Sequence, residues 1–86
     1  MQQEDKKKII CTLAGKTLKH LRKDKSLYQL AGEYEISTSL LNSLERGLKD
    51  PQLTTVFKLS EALNVKPSEF VKIIEEGLPE GFSLIE

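Results

Sequence analysis

The segment from Thr38 to Arg46 carries hydrogen-bonding side chains at helical spacing. On a helix that turns about 100° per residue, its polar side chains fall within about 140° of one another, and its three leucines fall on the opposite side. The polar set is Thr38, Ser39, Asn42, Ser43 and Arg46. Hydroxyl, amide and guanidinium groups suit the donors and acceptors that base edges present in a major groove. An ordinary amphipathic surface helix has the same pattern, so this face alone leaves both interpretations open.

Other residue types that could do chemistry are isolated. His20 is the only histidine, and it lies among lysines with no cysteine at a ligand spacing. Cys11 is the only cysteine, and no base is placed to activate it as a nucleophile. The five glycines are scattered and form no phosphate-binding loop. We therefore predict a protein that is not an enzyme and that uses no metal, cofactor or small-molecule ligand.

The composition indicates a single small globular domain. The chain has 86 residues, of which 38% are hydrophobic and 30% charged. Its net charge is zero, but residues 1–50 hold ten Lys and Arg against seven Asp and Glu, and residues 51–86 hold three against six. No apolar run approaches the ~20 residues of a membrane span, and the N-terminus does not resemble a signal peptide. With its single cysteine, the chain fits a reducing cytoplasm.

Hydrophobic periodicity and capping residues together predict an all-α domain. The five predicted helices cover residues 5–24, 27–34, 38–46, 53–63 and 67–76. Ser26 and Ser37 are placed to cap the second and third helices at their N-termini. Gly47 and Gly77 are expected to end the third and fifth helices, and Asn64 to form a left-handed cap after the fourth. The two short helices, joined by a tight turn, are the elements that position the polar face.

The spacing of apolar and turn residues around that face resembles a known family. The residues that carry the resemblance are Leu30-Ala31, Glu35-Ile36-Ser37, Leu41, Leu44 and Glu45-Arg46-Gly47, preceded by Gly15, Leu18, Leu21 and Arg22. This pattern is similar to the Cro/lambda-repressor (XRE-type) helix-turn-helix DNA-binding family. The resemblance implies a five-helix lambda-repressor-like domain over residues 1–77, with a structural ion pair between Arg22 and Glu45.

The resemblance also implies a function: a sequence-specific transcriptional regulator of prokaryotic or phage type, bound to double-stranded DNA as a homodimer. Thr38, Ser39, Asn42 and Ser43 would face base edges. Phosphates would meet the helix N-termini at Ser26 and Ser37 and the basic side chains of Arg46 and Lys49. The implied DNA-binding residues are therefore Ser26, Ser37, Thr38, Ser39, Asn42, Ser43, Arg46 and Lys49.

Several positions depart from the family pattern. Leu27 stands where a glutamine often follows the capping serine, and Glu35 stands where the turn commonly has glycine. The third helix has short hydroxyls where longer polar side chains are frequent. An alternative is therefore a protein-interaction module, such as an antitoxin-like or regulatory subunit. The tail over residues 78–86 carries the apolar side chains of Phe82, Leu84 and Ile85. Either the fifth helix and this tail together form the dimer surface, or the tail folds back on its own core.

Overall fold

Five α-helices and their short connections form the fold in a computed structural model that describes residues 3–86, with side chains from Asp5 onward. The helices are α1 (Gln3–Arg22), α2 (Leu27–Tyr34), α3 (Thr38–Glu45), α4 (Leu53–Ala62) and α5 (Pro67–Gly77). No strand occurs among these described residues. The predicted all-α, five-helix architecture is therefore confirmed, and each predicted helix is present.

Several helix ends differ from the prediction by one or two residues, and the C-terminal ends of α1 and α5 have local causes. Helix α1 ends at Arg22 rather than at residue 24, because Lys23 adopts a left-handed backbone with φ 53°. Gly77 was expected to stop α5 after residue 76, but it is itself the last helical residue, so α5 is one residue longer than predicted. Leu78 leaves the helix with φ −68° and ψ 144°. Leu78 precedes Pro79, and the proline ring disfavours helical backbone in the residue before it.

A single hydrophobic core joins all five helices. Its fully buried large side chains come from α1, α2, α3, α4 and α5 in turn: Leu18, Leu30, Leu41, Leu59 and Phe70. Ser60 is also fully buried, and its hydroxyl donates to the carbonyl oxygen of Val56 at 2.7 Å, so it carries no unsatisfied group. This core fixes α2 and α3 relative to the rest of the domain.

Gly15 allows the backbone of α1 to approach the C-terminal end of α3. A Cβ atom at this position would lie 2.4 Å from the carbonyl oxygen of Leu44 and 2.7 Å from that of Glu45. Gly47 makes a second close approach, because its φ is 71° and a Cβ there would lie 3.0 Å from the hydroxyl of Thr12. These two glycines set the distance between α1 and the end of α3.

The tail over residues 78–86 lies against α1. The ammonium group of Lys6 donates a hydrogen bond to the main-chain oxygen of Glu86, and Leu84 and Ile85 line a groove together with Ile10. Phe82 is half-buried, whereas the Ile85 side chain is 89% exposed. The role of the tail in dimerisation stays a prediction.

Candidate nucleic-acid interface

The helix-turn-helix begins at Ser26, which caps α2. Its hydroxyl oxygen accepts a hydrogen bond from the backbone N–H of Gln29 at 3.1 Å, and the side-chain oxygen of Gln29 accepts one from the Ser26 N–H at 2.9 Å. This reciprocal pair is a capping box. The Ser26 hydroxyl keeps its own hydrogen as a donor, because the cap uses only an oxygen lone pair. The donor is therefore still available to an incoming phosphate.

The turn between α2 and α3 depends on Glu35 and Ile36. Glu35 adopts a left-handed backbone with φ 52° and ψ 45°, the conformation for which the family commonly uses glycine. The N–H groups of Glu35 and Ile36 both donate to the carbonyl oxygen of Ala31. Ile36 is buried in the core, and Ala31 beside it is small. The turn is thereby fixed, and α3 leaves it at a defined angle to α2.

Ser37 caps the N-terminus of α3, and its hydroxyl oxygen accepts a hydrogen bond from the N–H of Leu40 at 3.2 Å. Leu41 and Leu44 are buried, so this side of the helix is anchored in the core. The opposite side carries the predicted polar residues, of which Ser39, Asn42 and Arg46 are exposed and Thr38 and Ser43 half-buried. Within residues 5–86, none of these five side chains forms a hydrogen bond or an ion pair. The outer face of α3 is therefore uncovered, and its polar groups are uncommitted.

Arg22 and Glu45 connect α1 to the last residue of α3. The Nε of Arg22 lies 2.5 Å from Oε2 of Glu45, and Nη2 lies 3.1 Å from Oε1. A third hydrogen bond runs from Nη1 to the carbonyl oxygen of Lys25 at 2.9 Å. The two side chains are only 18% and 10% exposed, and the hydrogen bond to the carboxylate raises the pKa of Arg22. The structure thus places this pair where it holds α3 against α1.

Basic groups lie beyond the C-terminal end of α3. Arg46 is the capping residue of the helix, and Lys49 lies in the loop that follows. Both side chains are exposed. The neighbouring Asp50 forms an ion pair with Lys7 at 3.6 Å, which connects this loop to α1. The positive charges of Arg46 and Lys49 are therefore displayed at one end of the polar face.

Two residues near the interface were missed in the sequence, for different reasons. Gln29 completes the capping box, and the spacing of Ser26 and Gln29 is itself a sign of that motif. Tyr28 is largely exposed in the first turn of α2, and Tyr34 at the end of the same helix is also exposed. Nothing in the apolar periodicity distinguishes a packed from an exposed tyrosine.

Three further observations concern metal binding, the single cysteine and membrane insertion. In the part of the chain that it describes, no three His, Cys, Asp or Glu side chains are grouped so as to hold a metal ion. Cys11 is buried, and this burial raises the pKa of its thiol. Within residues 3–86, no helix combines the length and the apolar character that crossing a bilayer demands.

Comparisons with known proteins agree with the geometry of α2 and α3. The family model described as helix-turn-helix matches residues 18–70. The chain is 36% identical over 66 residues to a protein of Sinorhizobium fredii (strain NBRC 101917 / NGR234) named "uncharacterized HTH-type transcriptional regulator y4dJ". That alignment covers 74% of this chain and 86% of the relative. No solved structure matches the chain significantly. The chain therefore belongs to the XRE-type helix-turn-helix family.

Proposed function

We propose that this protein is a sequence-specific DNA-binding transcriptional regulator of prokaryotic or phage type, and that α3 reads the major groove. The observation that carries the proposal is the outer face of α3, which is polar, uncovered and free of internal hydrogen bonds while Leu41 and Leu44 anchor the helix from behind. The name of the Sinorhizobium fredii relative, a transcriptional regulator, agrees with it. The protein acts by binding rather than by catalysis, in the cytoplasm and without a cofactor.

Base recognition is assigned to the exposed half of α3. The side-chain amide of Asn42 offers a donor and an acceptor, the pair that adenine matches with N7 and its exocyclic amine. Ser39 is exposed beside it, and the half-buried residues Thr38 and Ser43 lie on the same face. Short hydroxyls reach only bases that lie close, so we expect Asn42 to contribute most of the discrimination.

Phosphate contacts are assigned to the starts of α2 and α3 and to the basic residues after α3. The N-terminal N–H groups of a helix and its dipole favour an anion. Ser26 and Ser37 occupy these two positions and retain hydroxyl donors. Arg46 and Lys49 would neutralise further phosphates. Such contacts set affinity and register, whereas base contacts set sequence preference.

We further infer that the protein binds DNA as a homodimer. Two recognition helices in this class of regulator are separated by about one turn of DNA, ~34 Å, so each lies ~17 Å from the twofold axis. The domain measures 40 × 23 × 22 Å, which is large enough for one copy to span that distance. If each copy neutralises about three phosphates, log affinity should fall against log salt with a slope near −5, which is about −0.9 for each of six phosphates.

The proposal is tested by selecting binding sites from random duplex DNA and measuring affinity for the selected site over a range of salt concentrations. Asn42→Ala should relax base preference and weaken binding to the selected site by roughly 1–3 kcal/mol. Arg46→Ala and Lys49→Ala should weaken binding to all sequences alike and each reduce the salt slope by about one. Lys72→Ala, at an exposed position on α5, is the matched control and should change neither quantity.

Two results would contradict the proposal. One is a salt slope near zero, since phosphate contacts require counterion release. The other is unchanged DNA affinity in the variants at Asn42 and Arg46 together with loss of a protein partner. That second result would identify the domain as an antitoxin-like or regulatory interaction module.

A further inference from the structure

The side chain of Lys25 runs along α2 and is held by two residues at the end of that helix. Lys25 lies directly before Ser26, the residue that caps α2. Its ammonium group lies 2.5 Å from Oε1 of Glu33 and 5.6 Å from the centre of the Tyr34 ring. Glu33 and Tyr34 are the last two residues of α2. The positive charge next to the cap is therefore bound by side chains from the other end of the helix.

The backbone of Lys25 is fixed, whereas its side chain is held only by weak contacts. The Nη1 of Arg22 donates to the carbonyl oxygen of Lys25 at 2.9 Å, and the N–H of Lys25 donates to that of Arg22 at 3.0 Å. Arg22 is also paired with Glu45, so this backbone position is fixed relative to α3. The pair of Lys25 and Glu33 is different, because the two side chains are 34% and 51% exposed. Exposed ion pairs are weak, so the ammonium group can exchange partners without disturbing the fold.

The phosphate assigned to the start of α2 lies within reach of this ammonium group. Lys25 and Ser26 are consecutive, so their Cα atoms are only about 3.8 Å apart. A flexible stem of four carbons carries the ammonium group, which can turn from the end of α2 to an anion at its start. The Ser26 hydroxyl and the first N–H groups of the helix offer that anion partial charges. The ammonium group would add a full positive charge.

We propose that Lys25 is a phosphate-binding residue of the DNA interface, and that Glu33 competes with the DNA for its ammonium group. This inference rests on the proposed function and adds a control of its affinity. In the free protein, the carboxylate of Glu33 and the ring of Tyr34 hold the ammonium group. A phosphate must displace both, so the loss of the internal pair offsets part of the new contact. Without the carboxylate, this offset is smaller and DNA binding is tighter.

Glu35 provides the matched control for Glu33. It is exposed and lies two residues further along the chain. Its carboxylate forms no ion pair or hydrogen bond with another residue in the part of the chain that the structure describes. Glu35→Gln therefore removes the same formal charge as Glu33→Gln but releases no lysine. A gain in DNA affinity shared by both variants would reflect net charge alone.

The experiment measures the affinity of the intact protein for the selected duplex over a range of salt concentrations. Glu33→Gln should bind about two- to fivefold more tightly than the wild type, because an exposed ion pair contributes a factor of this size. Its log affinity should also fall more steeply with log salt, by up to about 0.9 for each bound copy, because a further phosphate is neutralised. Glu35→Gln should leave the salt slope unchanged.

Lys25→Met identifies the lysine as the source of the gain. Added to the Glu33→Gln chain, it should abolish both the tighter binding and the steeper slope. In the wild type, the same substitution should weaken DNA binding less, because Glu33 already withholds part of the ammonium charge. Thermal unfolding followed by circular dichroism should show that each variant remains folded.

The outcomes separate this proposal from the proposed function. Equal affinities of Glu33→Gln and Glu35→Gln would overturn it, as would a gain that persists after Lys25→Met is added. If this happens while the wild type binds the selected site and Asn42→Ala relaxes its base preference, only the competition between Glu33 and DNA is refuted. A wild type that binds no duplex would refute both proposals.

Discussion

For the substitution Gly15→Ala, the structure predicts a loss of stability, whereas local helix preference predicts a gain. Gly15 lies within α1, where alanine is favoured over glycine by about 1 kcal/mol when no neighbouring atoms crowd the site. In this fold, backbone atoms of α3 crowd it. The added Cβ would lie 2.4 Å from the carbonyl oxygen of Leu44, and 2.7 Å and 2.9 Å from the carbonyl oxygen and carbon of Glu45.

The size of the effect follows from these distances. An ordinary contact begins near 3.4 Å, so α1 and α3 must separate by about 1 Å at this point. Overpacking costs ~1–3 kcal/mol, and the upper end applies because backbone atoms cannot rotate away as a side chain can. From an overpacking cost of about 3 kcal/mol, the ~1 kcal/mol gained in helix preference is subtracted. The free energy of unfolding should therefore fall by about 2 kcal/mol. For a domain of this size, that corresponds to a fall of roughly 8–16 °C in Tm.

The assay is thermal unfolding followed by circular dichroism, with Gly32→Ala as the matched control. Gly32 is exposed within α2, and a Cβ there would have no neighbour within 4 Å. Gly32→Ala should therefore raise Tm, by roughly 4–8 °C for a gain of about 1 kcal/mol. If Gly15→Ala also raised Tm, the close approach of α1 to α3 would be refuted.

Three further predictions concern the turn, the ion pair and the buried thiol. Glu35→Gly should raise the free energy of unfolding, measured with urea, by roughly 0.5–1 kcal/mol, because glycine adopts the left-handed backbone at φ 52° without strain. A loss of stability would show that the Glu35 side chain contributes more than the strain costs. Arg22→Met should cost about 3 kcal/mol by urea unfolding, because it leaves the largely buried Glu45 carboxylate unpaired. Lys25→Met, which removes an exposed pair with Glu33, should cost much less, and equal losses would contradict this account. Burial raises the pKa of Cys11 above its ordinary 9.0, so the unfolded chain releases this proton first. The free energy of unfolding should then fall relative to that of Cys11→Ala as the pH rises past 9.0, and parallel pH profiles would disprove it.

The helix order and most caps could be predicted because their signals are local. Ser26, Ser37 and Asn64 act on backbone groups within a few residues, and the structure places each in the expected cap or left-handed conformation. The end of α5 was missed because two local signals compete there. Glycine at 77 tolerates helical backbone, whereas Pro79 forces Leu78 out of it.

Features set by distant contacts could not be predicted. In sequence, Gly15 looks like a weak point of α1, and only the position of α3 shows why no Cβ fits there. The apolar residues of α4 are similar: periodicity places them on the helix, but it does not show that Leu53 and Phe57 stay exposed. For α3, the periodicity separated the anchored from the outward face, because leucines at helical spacing must pack. It could not show that Thr38 and Ser43 are half-buried.

The central claim is that the outer face of α3 enters the major groove of DNA. Backbone amide chemical shifts of the labelled protein, recorded by NMR during titration with the selected duplex, test it most directly. We expect the largest changes at Ser39, Asn42 and Ser43, smaller changes at the capping residues Ser26 and Ser37, and none at Lys72 on α5. Changes concentrated along α4 and α5, with the α3 amides unmoved, would contradict it.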